Sequence, residues 1–245
     1  MTFSPVLIIG AHSDIGRAIA RAYAKGGRPL ILAARKAKRL EPDAVDLRIR
    51  HDLDVRVVEF DLLETDKHAA FLDGLSPFPG TVISVAGLLG DQKASETDPA
   101  AAERVMRTNY VDLALLLDRI APRMETGGGG TIIGISSVAG DRGRASNYIY
   151  GSAKAGFTTY LSGLRNRMAK RGVHVVTIKP GFVDTQMTAG MKLLPFLTAK
   201  PEEVARAILR AEIRRRDVVY VRPIWRLVMA IIKAIPEKMF KRLSL

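Results

Sequence analysis

The stretch Val6-Leu-Ile-Ile-Gly10-Ala-His-Ser-Asp14-Ile-Gly16-Arg-Ala-Ile-Ala20-Arg-Ala-Tyr-Ala-Lys25 changes periodicity in its middle. Its first four residues are apolar without alternation, as in a strand buried on both faces. From Asp14 to Lys25 it reads as a helix. Gly10 and Gly16 stand at the change. A strand that runs through a glycine turn straight into a helix is the opening unit of a parallel α/β sheet.

The same alternation continues outward from this unit. The first strand is expected over Val6–Gly10, with others at Leu30–Ala34, Arg56–Phe60, Thr81–Val85, Thr131–Ser136, His174–Ile178 and Val218–Val221. Helices are expected at Asp14–Lys25, Glu41–His51, Asp66–Leu72, Pro99–Met124, Tyr148–Arg171 and Pro201–Arg215, with Pro99 and Pro201 suited to a first helical position. The expected fold is therefore α/β: a Rossmann-like, doubly wound parallel sheet of about seven strands in a single domain. Residues 1–221 form its body, and 222–245 form a C-terminal apolar and basic tail.

Composition narrows the functional classes. The 245 residues are 47% hydrophobic, enough for a sizeable core, and contain no cysteine, which excludes disulfides and thiolate chemistry. The N-terminus has no basic n-region or small-residue cleavage site and is expected to lead into the first strand. A net charge of +13 points to an anionic partner: nucleic acid, a phosphorylated substrate or an anionic membrane. No run resembles a zinc finger, a KH loop or an aromatic RNA-binding strand, so nucleic acid is not expected. His12, His51, His68 and His174 have no ligand spacing and are expected to be surface or packing residues, with no metal site.

The glycine turn is a candidate pyrophosphate cradle, because backbone N–H groups and a helix N-terminus converge there. Gly10 would make the tight turn and Gly16 would bring helix and sheet together, with His12, Ser13, Asp14 and Ile15 between them. The middle glycine of the usual pattern is replaced by Asp14, whose carboxylate must point away from a pyrophosphate or find a partner. The second strand ends in Ala34-Arg35, not in the acidic residue that would bind the ribose 2′-hydroxyl of NAD. A guanidinium can fork onto a 2′-phosphate, so Arg35 favours NADP(H) over NAD(H); the alternative is a solvated charge.

Tyr150-Gly-Ser-Ala-Lys154 places a phenol and an ammonium on one helix face. A nearby cation stabilises phenolate and lowers the tyrosine pKa, which suits proton transfer. Upstream, Ser137 ends the strand beginning at Thr131, and ligands of open α/β sheets bind at such strand ends. Ser136 should point the other way and be structural. Tyr148 has Ser152 and no cation four residues on, so it is read as substrate lining or surface. Met187 and Met191 are read as pocket lining.

Together, the glycine turn, Ser137, Tyr150-x-x-x-Lys154 and Lys179-Pro180-Gly181 resemble the classical short-chain dehydrogenase/reductase family along the whole chain. The resemblance implies that Ser137 hydrogen-bonds the substrate oxygen, Tyr150 passes the proton, and Lys154 holds the nicotinamide ribose and lowers the tyrosine pKa. It implies that Asn109, in Arg107-Thr-Asn-Tyr110, holds a relay water, and that Asp61 contacts adenine. Pro180, Gly181, Val183 and Thr185 would lie along the nicotinamide. The family's Asn-Asn-Ala-Gly is here Ser84-Val-Ala-Gly87, so only Ala86 and Gly87 carry over.

The tail Arg222–Leu245 is apolar between Pro223 and Pro236, is interrupted by Arg226 and Lys233, and is too short to span a bilayer. It suits a helix lying in a lipid interface, or equally one packed at a subunit interface or over the active site. Pro236 should break it. With Ala86-Gly-Leu-Leu-Gly90-Asp91 and Ser136–Arg144, the tail resembles one subgroup, the decaprenylphosphoryl-2-keto-erythro-pentose reductases. That resemblance implies reduction of a 2-keto sugar on a polyprenyl phosphate, an oxidase partner, and a cytoplasmic enzyme peripheral to the inner face of the membrane. A homo-oligomer is expected. Two other readings stand beside it: a reductase of another ketone, such as a keto-lipid or 3-oxoacyl compound, and a nucleotide-binding interaction protein without turnover. The complete set Asn109, Ser137, Tyr150 and Lys154 argues against the last.

Overall fold

The structure is a computed structural model that describes residues 4–191 and 193–243. The ends of the expected body and tail, at residues 1 and 245, lie outside the described residues. The elements run β1 (Val6–Ile9), α1 (Asp14–Lys25), β2 (Leu30–Ala34), α2 (Glu41–His51), β3 (Val55–Glu59), α3 (His68–Asp73) and β4 (Thr81–Ser84). They continue with α4 (Gln92–Thr97), α5 (Pro99–Met106), α6 (Asp112–Thr126), β5 (Gly130–Ile135), α7 (Tyr148–Met168) and β6 (Val173–Lys179). The C-terminal part holds β7 (Phe182–Val183), β8 (Thr198–Ala199), α8 (Pro201–Ile213), β9 (Val218–Tyr220), α9 (Ile224–Ala234) and α10 (Glu237–Phe240).

Seven parallel strands form one sheet in the order β3-β2-β1-β4-β5-β6-β9, the expected doubly wound arrangement. Successive residues of β1 serve opposite layers. Val6 and Ile8 enter the core that packs under α1, α2 and α8, with Ile19, Leu47 and Ile208. Leu7 and Ile9 enter the core under α3, α6 and α7, with Leu72, Leu116 and Phe157. Each fully buried side chain of this size contributes about 1.5–3 kcal/mol, so the two layers fix the sheet and hence its ends. The strand order reverses between β1 and β4, and this leaves a crevice at the carboxyl ends of those strands.

Three expectations need correction. The single helix expected over Pro99–Met124 is interrupted by a π turn at Arg107–Val111 between α5 and α6. The extra residue in the turn lets Asn109 face inward, where its side chain is fully buried and hydrogen-bonded. The helix expected to reach Arg171 ends at Met168. The pair β7–β8 and the short helix α4 were not anticipated, because two-residue strands and a six-residue helix carry too little periodicity to read.

The C-terminal segment packs on the turn between β5 and α7. Trp225 and Met229 of α9 bury against Val138. Arg142 donates to the carbonyls of Ile232 and Ile235, each at 2.6 Å, and pairs with Glu237 at 2.9 Å. Its guanidinium also lies 3.7 Å from the centre of the Phe240 ring. Pro236 separates α9 from α10. Among the described residues, no helix is long and apolar enough to cross a membrane.

Candidate active site

Ser13 starts α1: its Oγ accepts from the Gly16 N–H at 3.1 Å and donates to the Gly10 carbonyl at 2.9 Å. Gly10 has φ +88°, and a Cβ there would lie 2.7 Å from the Ala86 nitrogen. A Cβ on Gly16 would lie 2.8 Å from the Gly10 carbonyl oxygen. Glycine is therefore required at both positions for α1 to start directly over the crevice. Asp14, at the missing middle glycine, does find a partner: its carboxylate accepts the Gln186 N–H at 2.9 Å. This ties the segment after β7 to the start of α1.

The crevice holds a cleft of about 740 Å³, the size of a small-molecule or cofactor site. Of the residues expected to bind cofactor, Gly10, His12, Ser13, Asp14, Ile15, Arg35, Asp61, Ala86, Gly87 and Thr185 line it. Gly16, Tyr150, Lys154, Pro180, Gly181 and Val183 do not line it. Gly181 has a different reason to be glycine: a Cβ there would overlap the Trp225 ring. Pro180 accepts the Val138 N–H at 3.0 Å, and Val183 accepts the Thr188 hydroxyl at 2.6 Å.

One end of the cleft is cationic, with Arg17, Arg35, Lys36 and Arg39 on its wall. Lys36 has φ +53°, a turn held by Glu59, which accepts the N–H groups of Lys36 and Ala37 at 2.7 Å each. Those two donors hold the Glu59 carboxyl below its ordinary pKa. The carboxylate nearest this corner is thus already engaged by backbone, and Arg35 stands exposed beside it. Asp61 accepts the Leu63 N–H at 3.0 Å, which fixes its carboxylate on the wall.

The expected catalytic residues converge next to the cleft, and none of Asn109, Ser137, Tyr150 and Lys154 is part of its lining. Ser137 leaves β5 extended, and its Oγ accepts the Ala139 N–H at 3.1 Å. Tyr150 lies in the first turn of α7, with the Ser137 side chain close enough to favour its phenolate. Lys154, one turn on, is buried; its Nζ donates to the Ile135 carbonyl at 3.0 Å and lies 5.8 Å from the centre of the Tyr150 ring. Burial raises the tyrosine pKa, and the neighbouring Ser137 side chain opposes that rise. Burial lowers the lysine to about 7. Asn109 donates to the carbonyls of Leu88 at 2.6 Å and Val105 at 2.8 Å, and accepts the Leu88 N–H at 3.2 Å.

Gly87 stands between the cleft and these side chains. A Cβ there would lie 3.3 Å from Asn109 Oδ1, 3.8 Å from Lys154 Nζ and 4.0 Å from the Met187 methyl. Gly87 lines the cleft, so the ammonium lies directly behind that part of its wall. Ser136 is structural, as expected: its hydroxyl donates to the Lys154 carbonyl at 3.0 Å and lies 2.6 Å from Thr158 Oγ1. Tyr148 is exposed, and so is Met191. His68 is a packing residue, buried with Nε2 2.9 Å from the Leu62 carbonyl.

Sequence reading missed Leu88, Gln186 and Val138. The first two act through backbone atoms, which leave no residue-type signal. Val138 matters only because Trp225 is brought onto it, although a lone tryptophan in the tail was a visible hint.

The sequence matches the family model described as short chain dehydrogenase over residues 4–193. It is 38% identical to an uncharacterized oxidoreductase of Mycobacterium tuberculosis, over 98% of this chain and 97% of that protein. It is 35% identical to an uncharacterized oxidoreductase of Streptomyces coelicolor, over 97% and 95%. Among solved structures, it is similar to a short-chain dehydrogenase from Sphingobium yanoikuyae in complex with NADPH. That likeness has TM-score 0.81 and 27% identity, and covers 95% of this chain and 97% of that one.

Proposed function

The chain belongs to the short chain dehydrogenase family and is an oxidoreductase, and from that premise we propose that it is an NADP(H)-dependent carbonyl reductase acting through Tyr150. One observation carries the reading: Tyr150 and Lys154 stand together beside Ser137, and the Lys154 ammonium lies against Gly87, a residue of the wall of a cofactor-sized cleft.

The residues present suit a dinucleotide. The first turn of α1 and Ser13 offer the phosphate end, and Arg35 and Arg39 offer cations for a 2′-phosphate. Asp61 and Thr185 lie on the same wall. The NADPH held by the Sphingobium dehydrogenase supports the same choice of cofactor. When bound, the cofactor supplies the hydride. Ser137 then donates a hydrogen bond to the substrate carbonyl, and Tyr150 gives its phenolic proton to that oxygen. Lys154 in its protonated form stabilises the phenolate left behind. Asn109 holds Leu88 by both backbone groups and so fixes the wall at Gly87.

For the substrate we favour a 2-keto sugar carried on a polyprenyl phosphate. The sequence resemblance to that subgroup supports it, and so does the surface beside the site. Leu194, Phe196, Ile224, Leu227 and Ile231 are all exposed there. The turn carrying Phe196 is tied to the start of α9: Arg222 donates to the carbonyls of Pro195 and Phe196 at 2.9 Å each, and Trp225 Nε1 to that of Leu197 at 3.0 Å. Arg226, Lys233, Lys238, Lys241 and Arg242 are exposed along the same C-terminal segment. An exposed apolar face on a basic segment suits the interface of an anionic lipid. On this reading residues 1–221 are the catalytic body and 222–245 a lipid-facing wall of the site. The protein would then work at the inner face of the membrane, next to an oxidase partner.

Tyr150→Phe tests the core of the proposal. It should lower ketone reduction with NADPH by about 10²–10⁴-fold, the usual contribution of a positioned proton donor, and leave NADPH affinity within a few-fold. Full activity in that variant would overturn the assignment of Tyr150.

A further inference from the structure

Beside the turn that follows Ser137 lies a charged cluster that the proposed chemistry does not use. Lys179 and Tyr220 are register partners on the neighbouring strands β6 and β9, so their side chains leave the sheet on the same face. Both reach Asp141, which follows the turn. Lys179 Nζ donates to one carboxylate oxygen, and the Tyr220 phenol donates to the other at 2.7 Å. The Lys179 ammonium also lies 5.5 Å from the centre of the Tyr220 ring. The side chains of Lys179 and Asp141 are 10% and 4% exposed, so water has little access to the pair. Such a pair adds little net stability, because desolvation offsets most of the attraction. It does fix direction: each carboxylate oxygen has its own donor, and the two donors come from two strands of the sheet.

Asp141 closes the single helical turn that starts at Ser137. The Gly140 N–H donates to the Ser137 carbonyl at 3.2 Å, and the Asp141 N–H to the Val138 carbonyl at 3.1 Å. The Val138 N–H donates to the carbonyl of Pro180, the residue after Lys179, at 3.0 Å. The same turn lies on α7 with no slack. A Cβ on Gly140 would lie 2.7 Å from both the Ala155 nitrogen and the Lys154 carbonyl carbon, and one on Gly151 would lie 3.0 Å from the Ala139 carbonyl oxygen. Backbone therefore packs on backbone next to Tyr150 and Lys154, and the seat of the turn decides where Ser137 stands relative to both.

We propose that Asp141, Lys179 and Tyr220 are positioning residues, which hold the turn after Ser137 against α7 and so keep the Ser137 hydroxyl in place beside the Tyr150 phenol. They tie the turn to the sheet, and the bare backbone of Gly140 and Gly151 seats it on the helix. This rests on reading Ser137 and Tyr150 as the place where the ketone reacts.

The test reads the place of Ser137 through Tyr150, in full-length protein with NADP⁺ present. The Ser137 side chain favours the Tyr150 phenolate. The NMR signal of isotope-labelled Tyr150 Cζ, assigned by its loss in Tyr150→Phe, should therefore titrate at higher pH in Ser137→Ala. Asp141→Leu with Lys179→Met removes both charges together, leaves no unpaired ion in the interior and keeps the net charge. It should reproduce at least half of that rise, and Tyr220→Phe a smaller part. Ser137→Ala added to the double variant should raise the titration no further than Ser137→Ala does alone, because both act on one contact. Leu47→Ala, in the core layer under α1 and α2, should lower the urea midpoint and leave the Tyr150 titration unchanged. No rise in Ser137→Ala, less than half of it in the folded double variant, or rises that add when combined, overturn the proposal. Where the double variant does not fold, the presence or absence of a rise in Tyr220→Phe decides. The titration does not depend on turnover, so rises that fail to add uphold the network even if Tyr150→Phe retains full activity and the catalytic reading fails.

Discussion

Lys154 shows how far burial alone moves a functional group. Its ordinary pKa is 10.5, and burial brings it to about 7 in the folded chain. Between those two values the unfolded chain carries a proton that the folded chain has lost. Stability from this residue therefore rises with pH across that window, by at most about 1.4 kcal/mol per pH unit. Lys154→Met should flatten the pH dependence of the urea midpoint between about pH 7 and about pH 9; an unchanged slope would contradict the assignment. Arg35 acts by exposure. It stands free at the cationic end of the cleft, beside a Glu59 carboxylate already occupied by two N–H groups. Arg35→Ala should weaken NADPH binding by about tenfold, roughly 1.4 kcal/mol, and leave NADH binding nearly unchanged. Equal loss for both cofactors would show that Arg35 does not read the 2′-phosphate. Both residues were legible from sequence as types at positions, but their environments were not.

At the scale of elements, two pieces of local structure carry the site. The π turn at Arg107–Val111 turns Asn109 inward, where it holds Leu88 by both backbone groups. Helical periodicity runs smoothly through that region, so sequence reading gave one continuous helix; the interruption follows from tertiary hydrogen bonds. The second piece is the Arg142 clamp, which satisfies the last carbonyls of α9 and stacks on Phe240. Arg142→Ala leaves those carbonyls unbonded and should lower stability by about 1–3 kcal/mol, read as a fall in the denaturation midpoint. A change within experimental error would show that the C-terminal segment is held by Trp225 and Met229 alone.

At the scale of the whole molecule, the tail stops being a separate question. One face of α9, through Trp225 and Met229, covers the turn that carries Ser137. The other face, through Ile224, Leu227 and Ile231, is uncovered beside Phe196. Of the roles open for the tail at the level of sequence, packing over the turn after Ser137 falls to one face of this helix, and the proposal assigns the other, exposed face to lipid. Leu227→Ser with Ile231→Ser should remove flotation with anionic liposomes and change stability by no more than about 0.5 kcal/mol, since both side chains lie at the surface. Flotation equal to wild type would remove the lipid contact from the proposal and leave the keto-sugar reading on sequence resemblance.

Strand and helix periodicity, with glycines at Gly10 and Gly16, was enough to specify a parallel doubly wound sheet. Chain-local patterns encode which residues share a face, and burial on both faces leaves few sheets that fit. The spacing of Ser137, Tyr150 and Lys154 was legible for the same reason, since strand end and helix turn are local. What folding alone decided were contacts between residues far apart in the chain. Asp14 accepts from Gln186, Gly181 makes room for Trp225, and Arg142 caps α9. Each depends on which side chain or backbone group the packed layers bring into reach, and no periodicity in the sequence records that.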